Sequence, residues 1–204
     1  MKDLSSHVMD IVQNSVRAEA GKIEIEIEED LKKDFLTITI RDNGSGMDAE
    51  TLKKVRDPFF TSRTVRKVGL GIPLLQQNAE RTGGYVAIES QKGKGTEIKA
   101  VFVHAHLDRP PLGNISNTVV LLIVANPSIH FIYTHRTPKG EYRFDSVEVK
   151  EVLGDIPLND PDIVHALEEM IQENLHELQA GREKRDFPTE EDTRPQTRYE
   201  KTKE

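Results

Sequence analysis

Two stretches of strict alternation constrain the fold more than any other feature of the chain. Residues 22–27 read KIEIEI, and residues 36–40 read LTITI. A period of two puts Ile23, Ile25 and Ile27 on one side of a strand, and Leu36, Ile38 and Ile40 on one side of another. Each stretch therefore predicts a strand with one buried face, the two joined by a charged turn. Just upstream, Leu4, Val8, Ile11, Val12 and Val16 recur at helical spacing. This predicts a helix over residues 4–18, with Asp3 or Ser5 available as its N-cap.

Further along, DNGSGMD breaks the periodicity and a short helix is expected over residues 48–55. Residues 56–68 are basic, contain Pro58 and show no period, which reads as a mobile loop. Gly71 opens the next helix, Pro73 sits in its first turn and Gly83-Gly84 ends it. Residues 85–90 and 97–103 predict two strands joined by the Gly-rich turn QKGKGT. HLDRPPLG marks a change of character, so residues 1–105 are expected to form one domain and residues 106–115 a linker. Residues 116–180 then form a C-terminal α/β extension. Within it residues 116–125 fit either helix or strand. A hairpin around TPKG follows, then a short helix stopped by Gly154, and a longer amphipathic helix capped by NDP. Residues 181–204 are charged and polar, and are expected to be a disordered tail.

Chemistry enters through polar residues in unexpected places. His7, Asp10, Asn14 and Arg17 are spaced by three, four and three, and so share one stripe of the first helix. Taken alone, that stripe is a solvated face. Asp42 has the parity of Leu36, Ile38 and Ile40, which points its carboxylate toward the packed layer, where it needs hydrogen-bond donors. The exocyclic amine of a purine would supply one, and Gly44 and Gly46 would let a flat ligand approach. Asp-Asn-Gly is equally a favoured turn. In VGLGIPLL, Gly69 and Gly71 flank Leu70 at a helix start, where free N–H groups suit phosphate. Arg63, Arg66 and Lys67 precede it on the loop. GKGT offers the Thr96 hydroxyl beside a hairpin turn. In this company the amide oxygen of Asn14 can ligate a Mg²⁺ ion already surrounded by phosphate. Arg17 can pair with phosphate, and Asp10 can orient a water or accept a proton.

These motifs, in this order, resemble the ATP-binding superfamily of sensor histidine kinases, DNA gyrase, HSP90 and MutL, the GHKL or Bergerat-fold proteins. Asn14 matches the N box, DNGSGM with Met47 the G1 box, DPFFTSR with Phe60 and Arg63 the F box, and GLG the G2 box. GGYVAIESQKGKGTEIKAVF looks like the closing strands of a histidine-kinase catalytic domain. The resemblance covers residues 4–103 and implies an α+β fold, a two-layer α/β sandwich with helices on one face of a mixed sheet. It implies a pocket in which Asp42 and Thr96 meet adenine, shaped by Gly44, Gly46 and Gly71. Asn14 would hold Mg²⁺, Arg17, Arg63 and residues 69–71 would face phosphates, and Phe60 would anchor the lid. An acid at position 10 matches the general base of the ATP-hydrolysing branch and of the serine-kinase anti-sigma factors, although Asp is one methylene shorter than the usual Glu. Only three residues precede the first helix, so a stand-alone domain without dimerisation and phosphoacceptor segments is expected. HEL at residues 176–178 resembles the start of a phosphoacceptor box, but QAGR does not continue it. His176 therefore reads as a surface residue of an amphipathic helix.

The rest of the composition narrows the classes. There is no cysteine, which removes disulfides, thiolate metal sites and cysteine nucleophiles and fits a cytoplasmic setting. A net charge of −7 gives no bulk attraction to nucleic acid, and no apolar run approaches a membrane span. The expected function is ATP-dependent phosphotransfer, with ATP and Mg²⁺ as cofactors and a protein partner in trans as phosphoacceptor. A nucleotide-gated ATPase switch and a non-catalytic ATP-binding regulatory subunit are the alternatives, and an oligomer is left open.

Overall fold

In the computed structural model, residues 2–55 and 71–181 are described. The predicted loop, with Phe60, Arg63, Arg66, Lys67, Gly69 and Leu70, and nearly all of the predicted tail lie outside them.

The first helix, α1 (Leu4–Arg17), starts at Asp3, whose carboxylate accepts from the Ser6 N–H at 2.8 Å. The carbonyls of Pro111 and Leu112 take the next free donors, those of Leu4 and Ser5, both at 2.9 Å. Residues 111–112 thus close the helix start that the sequence left open. Two strands follow, β1 (Lys22–Asp30) and β2 (Phe35–Asp42), then α2 (Ala49–Lys54) and α3 (Gly71–Arg81). β3 (Tyr85–Gln91) and β4 (Gly95–Val103) form a hairpin. α4 (Ile115–Ala125), β5 (His130–Thr137), β6 (Gly140–Asp145), α5 (Ser146–Leu153) and α6 (Pro161–Glu177) complete the order.

The six strands of the described residues lie in one sheet, in the order β3-β4-β2-β1-β5-β6. Every pairing is antiparallel except that of β1 with β5, which is parallel and brings Ile25 opposite Tyr133. The sheet is mixed and the fold is α+β. Ile23, Ile25 and Ile27 are buried on the same face as Leu36, Ile38, Ile40 and Phe102, beneath α1, α3, α4 and α6. The other face carries a charged ladder. Arg41 bridges Glu26 at 3.0 Å and Glu97 at 2.5 Å, and Arg136 pairs with both Glu26 and Glu141.

Residues 115–125 resolve to a helix despite their β-branched content. Asn114 caps it by accepting from the Asn117 N–H at 3.0 Å, and packing buries it on nearly every side. Burial of a helix all round removes the amphipathic signal by which a sequence announces one.

A polar cluster is buried on the apolar face of the sheet. The Glu29 carboxylate is 3% exposed and accepts from His135 Nε2 at 2.7 Å, His104 Nε2 at 3.1 Å and the Gly181 N–H at 2.6 Å. The Tyr133 hydroxyl meets His135 Nδ1 at 2.7 Å. Burial alone would raise the Glu29 pKa; the hydrogen bonds from His104 and His135 outweigh it and hold the carboxyl at about 2.

Candidate functional site

One end of the sheet, where β2 finishes and β4 begins, opens into a cleft of about 380 Å³ between α1 and α3. That volume falls in the range of small-molecule sites. Its walls bring together residues far apart in sequence. α1 contributes Asp10, Asn14, Ser15 and Arg17; β2 and β4 contribute Asp42 and Thr96. Gly46 and Met47 close one side, and Gly71 stands at the start of α3. Ile11, Ile72 and Ile98 supply apolar surface. Of the anticipated site residues that are described, all but Gly44 line this cleft.

Asp42 is cross-strand partner to Thr96. Its Oδ2 accepts from the Ser15 hydroxyl at 2.6 Å, and its Oδ1 from the Gly44 N–H at 2.9 Å. The carboxylate is half-buried rather than fully enclosed. Each oxygen is anchored by one donor and retains a lone pair for another. Thr96 Oγ1 lies 2.9 Å from Ser90 Oγ, which also contacts the Gly95 carbonyl at 2.9 Å and accepts from the Met47 N–H at 2.8 Å.

The glycines have local reasons to be glycine. A methyl group on Gly44 would lie 2.6 Å from the Ala18 carbonyl oxygen at the end of α1. Gly46 has φ +62°, and a methyl group there would lie 2.0 Å from the Gln91 carbonyl oxygen. In both cases the close approach is by the protein's own backbone.

Asp10 faces the start of α3: a methyl group on Gly71 would come 3.0 Å from its Oδ2. A carboxylate is favoured there by the helix dipole. Asn14 Oδ1 accepts from Arg17 Nη1 at 2.9 Å, and Gln13 Oε1 from Arg17 Nη2 at 3.3 Å. Among the described residues Arg17 is the one cationic side chain lining the cleft. His7, on the same stripe, does not line it. His7 is 1% exposed, and its Nε2 accepts from the Asn78 amide at 2.8 Å, joining α1 to α3. Burial lowers its pKa to about 4 and keeps the ring neutral.

Among the described residues no group of three or more His, Cys, Asp or Glu is arranged to hold a metal ion. The oxygen donors of Asn14 and Asp10 fit instead a hard cation that arrives with phosphate oxygens and water. No described helix is long and apolar enough to cross a membrane.

Sequence reasoning passed over Ser15 and Ser90. Ser15 stands four residues after Ile11 and seven after Val8, so it belongs to the buried face of α1, and it is 4% exposed. A hydroxyl at an apolar-face position was the available signal. Ser90 shares the parity of Val86 and Ile88 and lies opposite Thr96.

A model of the histidine kinase-, DNA gyrase B- and HSP90-like ATPases matches residues 2–108. A putative sensor protein of Shewanella frigidimarina is 32% identical over 111 residues, 52% of this chain and 17% of that protein. Sensor kinase CckA of Brucella abortus is 37% identical over 67 residues, 32% of this chain and 7% of the relative. Sporulation kinase E of Bacillus subtilis is 32% identical over 90 residues, covering 43% and 12%. The chain thus spans less than a fifth of the length of each of these relatives. Among solved structures, the N-terminal domain of a DNA repair protein aligns at a TM-score of 0.49 and 18% identity, covering 71% of this chain and 52% of that one. The MutL ATPase domain of Aquifex aeolicus, complexed with ADP, aligns at 0.45 and 16% identity, covering 75% and 69%.

Proposed function

Because the chain belongs to the family of histidine kinase-, DNA gyrase B- and HSP90-like ATPases, we propose that its cleft binds ATP with Mg²⁺ and that the protein transfers the terminal phosphoryl group to a partner protein in trans. Its relatives include a sensor kinase and a sporulation kinase, which favours signalling as the role. The observation that carries the nucleotide reading is the convergence of Asp42, Thr96, Asn14, Arg17 and Asp10 on one cleft from three parts of the chain.

Asp42, held by Ser15 and Gly44, accepts the exocyclic amine of adenine on its remaining lone pairs. Thr96, oriented by Ser90, faces the ring beside it. Mg²⁺ carried with the phosphates would neutralise charge on the transferring group, with Asn14 Oδ1 as its protein ligand. Arg17 pairs with phosphate oxygens, and Asp10 takes the proton of the attacking hydroxyl. An acceptor on another molecule fits a cleft that none of the seven histidines lines and whose Ser15 and Thr96 hydroxyls are engaged by Asp42 and Ser90. Asp10 in the cleft also favours a second reading, hydrolysis with water as the nucleophile.

Incubation with γ-labelled ATP, with and without cell lysate, separates these readings. Label on a lysate protein and none on the purified chain is the expected result. Label on the chain itself would sink transfer in trans, and free phosphate alone would leave hydrolysis. Asp10→Asn should abolish turnover while keeping ATP binding; undiminished turnover would remove Asp10 from the chemistry. Asn14→Asp should weaken Mg-ATP binding in calorimetry by roughly tenfold or more, since it alters the one amide ligand of the cation. Normal affinity in that variant would refute the metal assignment.

A further inference from the structure

Arg17 has two places to be, and they exclude each other. In this structure its guanidinium donates to the amide oxygens of Asn14 and Gln13, one and the other side of the fork engaged. All three residues lie in the last turns of α1, at the negative end of the helix dipole, where a cation is favoured. The guanidinium therefore rests on the same oxygen that the nucleotide reading gives to a metal ion. Two cations at contact distance on one amide oxygen repel each other strongly. Nor can Arg17 reach phosphate with the same N–H groups while they are engaged by amides.

Gln13 is exposed and does not line the cleft, unlike Asn14 and Arg17. Among the described residues its side-chain link to the site is the bond from Arg17, at the i, i+4 spacing that brings side chains together on a helix. Resting on the nucleotide reading above, we propose that Gln13 is a positioning residue that holds Arg17 in a resting place, and that the polyphosphate of a nucleotide must draw Arg17 off both amides. The departure frees Asn14 Oδ1, so phosphate engages the protein before the cation engages Asn14. The exchange is downhill because a guanidinium pairs with phosphate through charge-assisted, bidentate bonds, which are stronger than its bonds to neutral amides. Gln13 thus sets the resting population of the phosphate-binding arm. A ligand without phosphate, such as adenosine, gives Arg17 no reason to move.

The test measures binding of the ATP analogue AMP-PNP and of adenosine to the full chain by calorimetry, in EDTA. Losing one exposed side-chain pair of this kind shifts an equilibrium by roughly twofold. Gln13→Ala should therefore bind AMP-PNP about twofold more tightly and adenosine as the wild type does. Arg17→Ala should bind AMP-PNP at least about fivefold more weakly, having lost the phosphate contact itself. In ¹⁵N spectra the Arg17 Nε resonance should move on adding AMP-PNP and stay in place with adenosine. Unchanged or weaker AMP-PNP binding by Gln13→Ala overturns the positioning role, as does an equal gain for adenosine; both leave the nucleotide reading intact. A wild-type chain that binds neither ligand overturns the nucleotide reading and the resting place together.

Discussion

Ser15 and His7 are both polar side chains on the buried side of α1, and each is satisfied by a different neighbour. Ser15 reaches across to Asp42, 27 positions later, and turns a helix position into a second anchor for the carboxylate proposed to meet adenine. His7 holds α3 through Asn78 and remains neutral. Its neutrality has a thermodynamic cost in acid. The unfolded chain protonates His7 below the ordinary histidine value of 6.5, whereas burial delays protonation in the folded chain to about 4. Its contribution is therefore fully kept above pH 6.5 and lost as pH falls toward 4, by roughly 3 kcal/mol at most. His7→Gln keeps an acceptor for Asn78 and removes the titration. Urea midpoints should then fall less between pH 7 and pH 4.5 in His7→Gln than in the wild type, and parallel falls would contradict the assignment. Asn14, Asp10 and Arg17 were legible because helical spacing put them on one stripe. Ser15 was not, because a small hydroxyl leaves an apolar periodicity unbroken and its partner is distant in sequence.

Among the elements, the loop after β2 and the turn between β3 and β4 depend on each other. The Gly93 N–H donates to the Ser45 carbonyl at 2.7 Å, while Gly46 lies against the carbonyl of Gln91. Gly46→Ala places a methyl group into that carbonyl at a left-handed backbone, so a loss of about 2 kcal/mol or more is expected in urea unfolding. ATP binding should weaken with it, since Met47 and Thr96 are tied to the same two turns through Ser90. Stability equal to that of the wild type would show that the two turns do not constrain each other. Each segment announced itself in the sequence as a Gly-rich turn, but nothing local said that one packs on the other. The same limit applied to α4, whose composition left helix and strand open until the Asn114 cap and surrounding helices decided it.

In the molecule as a whole, the Glu29 cluster joins segments that the sequence presents as separate. Glu29 comes from β1, His104 from just after β4, His135 from β5 and Gly181 from beyond α6. With a carboxyl pKa of about 2 against an ordinary value of 4.5, its stabilisation is complete above pH 4.5 and is lost as pH falls through 2. The full effect is of order 3 kcal/mol. Glu29→Gln should lower the melting temperature at pH 7 and flatten the acid limb of the stability curve below pH 4.5; an unaltered acid limb would count against it. The paired alternations of β1 and β2 were readable as neighbours, whereas the docking of β5 on the far edge of β1 was not, because parallel pairing leaves no turn signal. That pairing has a consequence for biogenesis. β1 is a central strand, yet the neighbour that closes its second edge is made roughly a hundred residues later, and such distant contacts form slowly. During synthesis the edge stands open as a template for other chains, and the outward row of Glu24, Glu26 and Glu28 is the kind of charge that keeps strangers from pairing there.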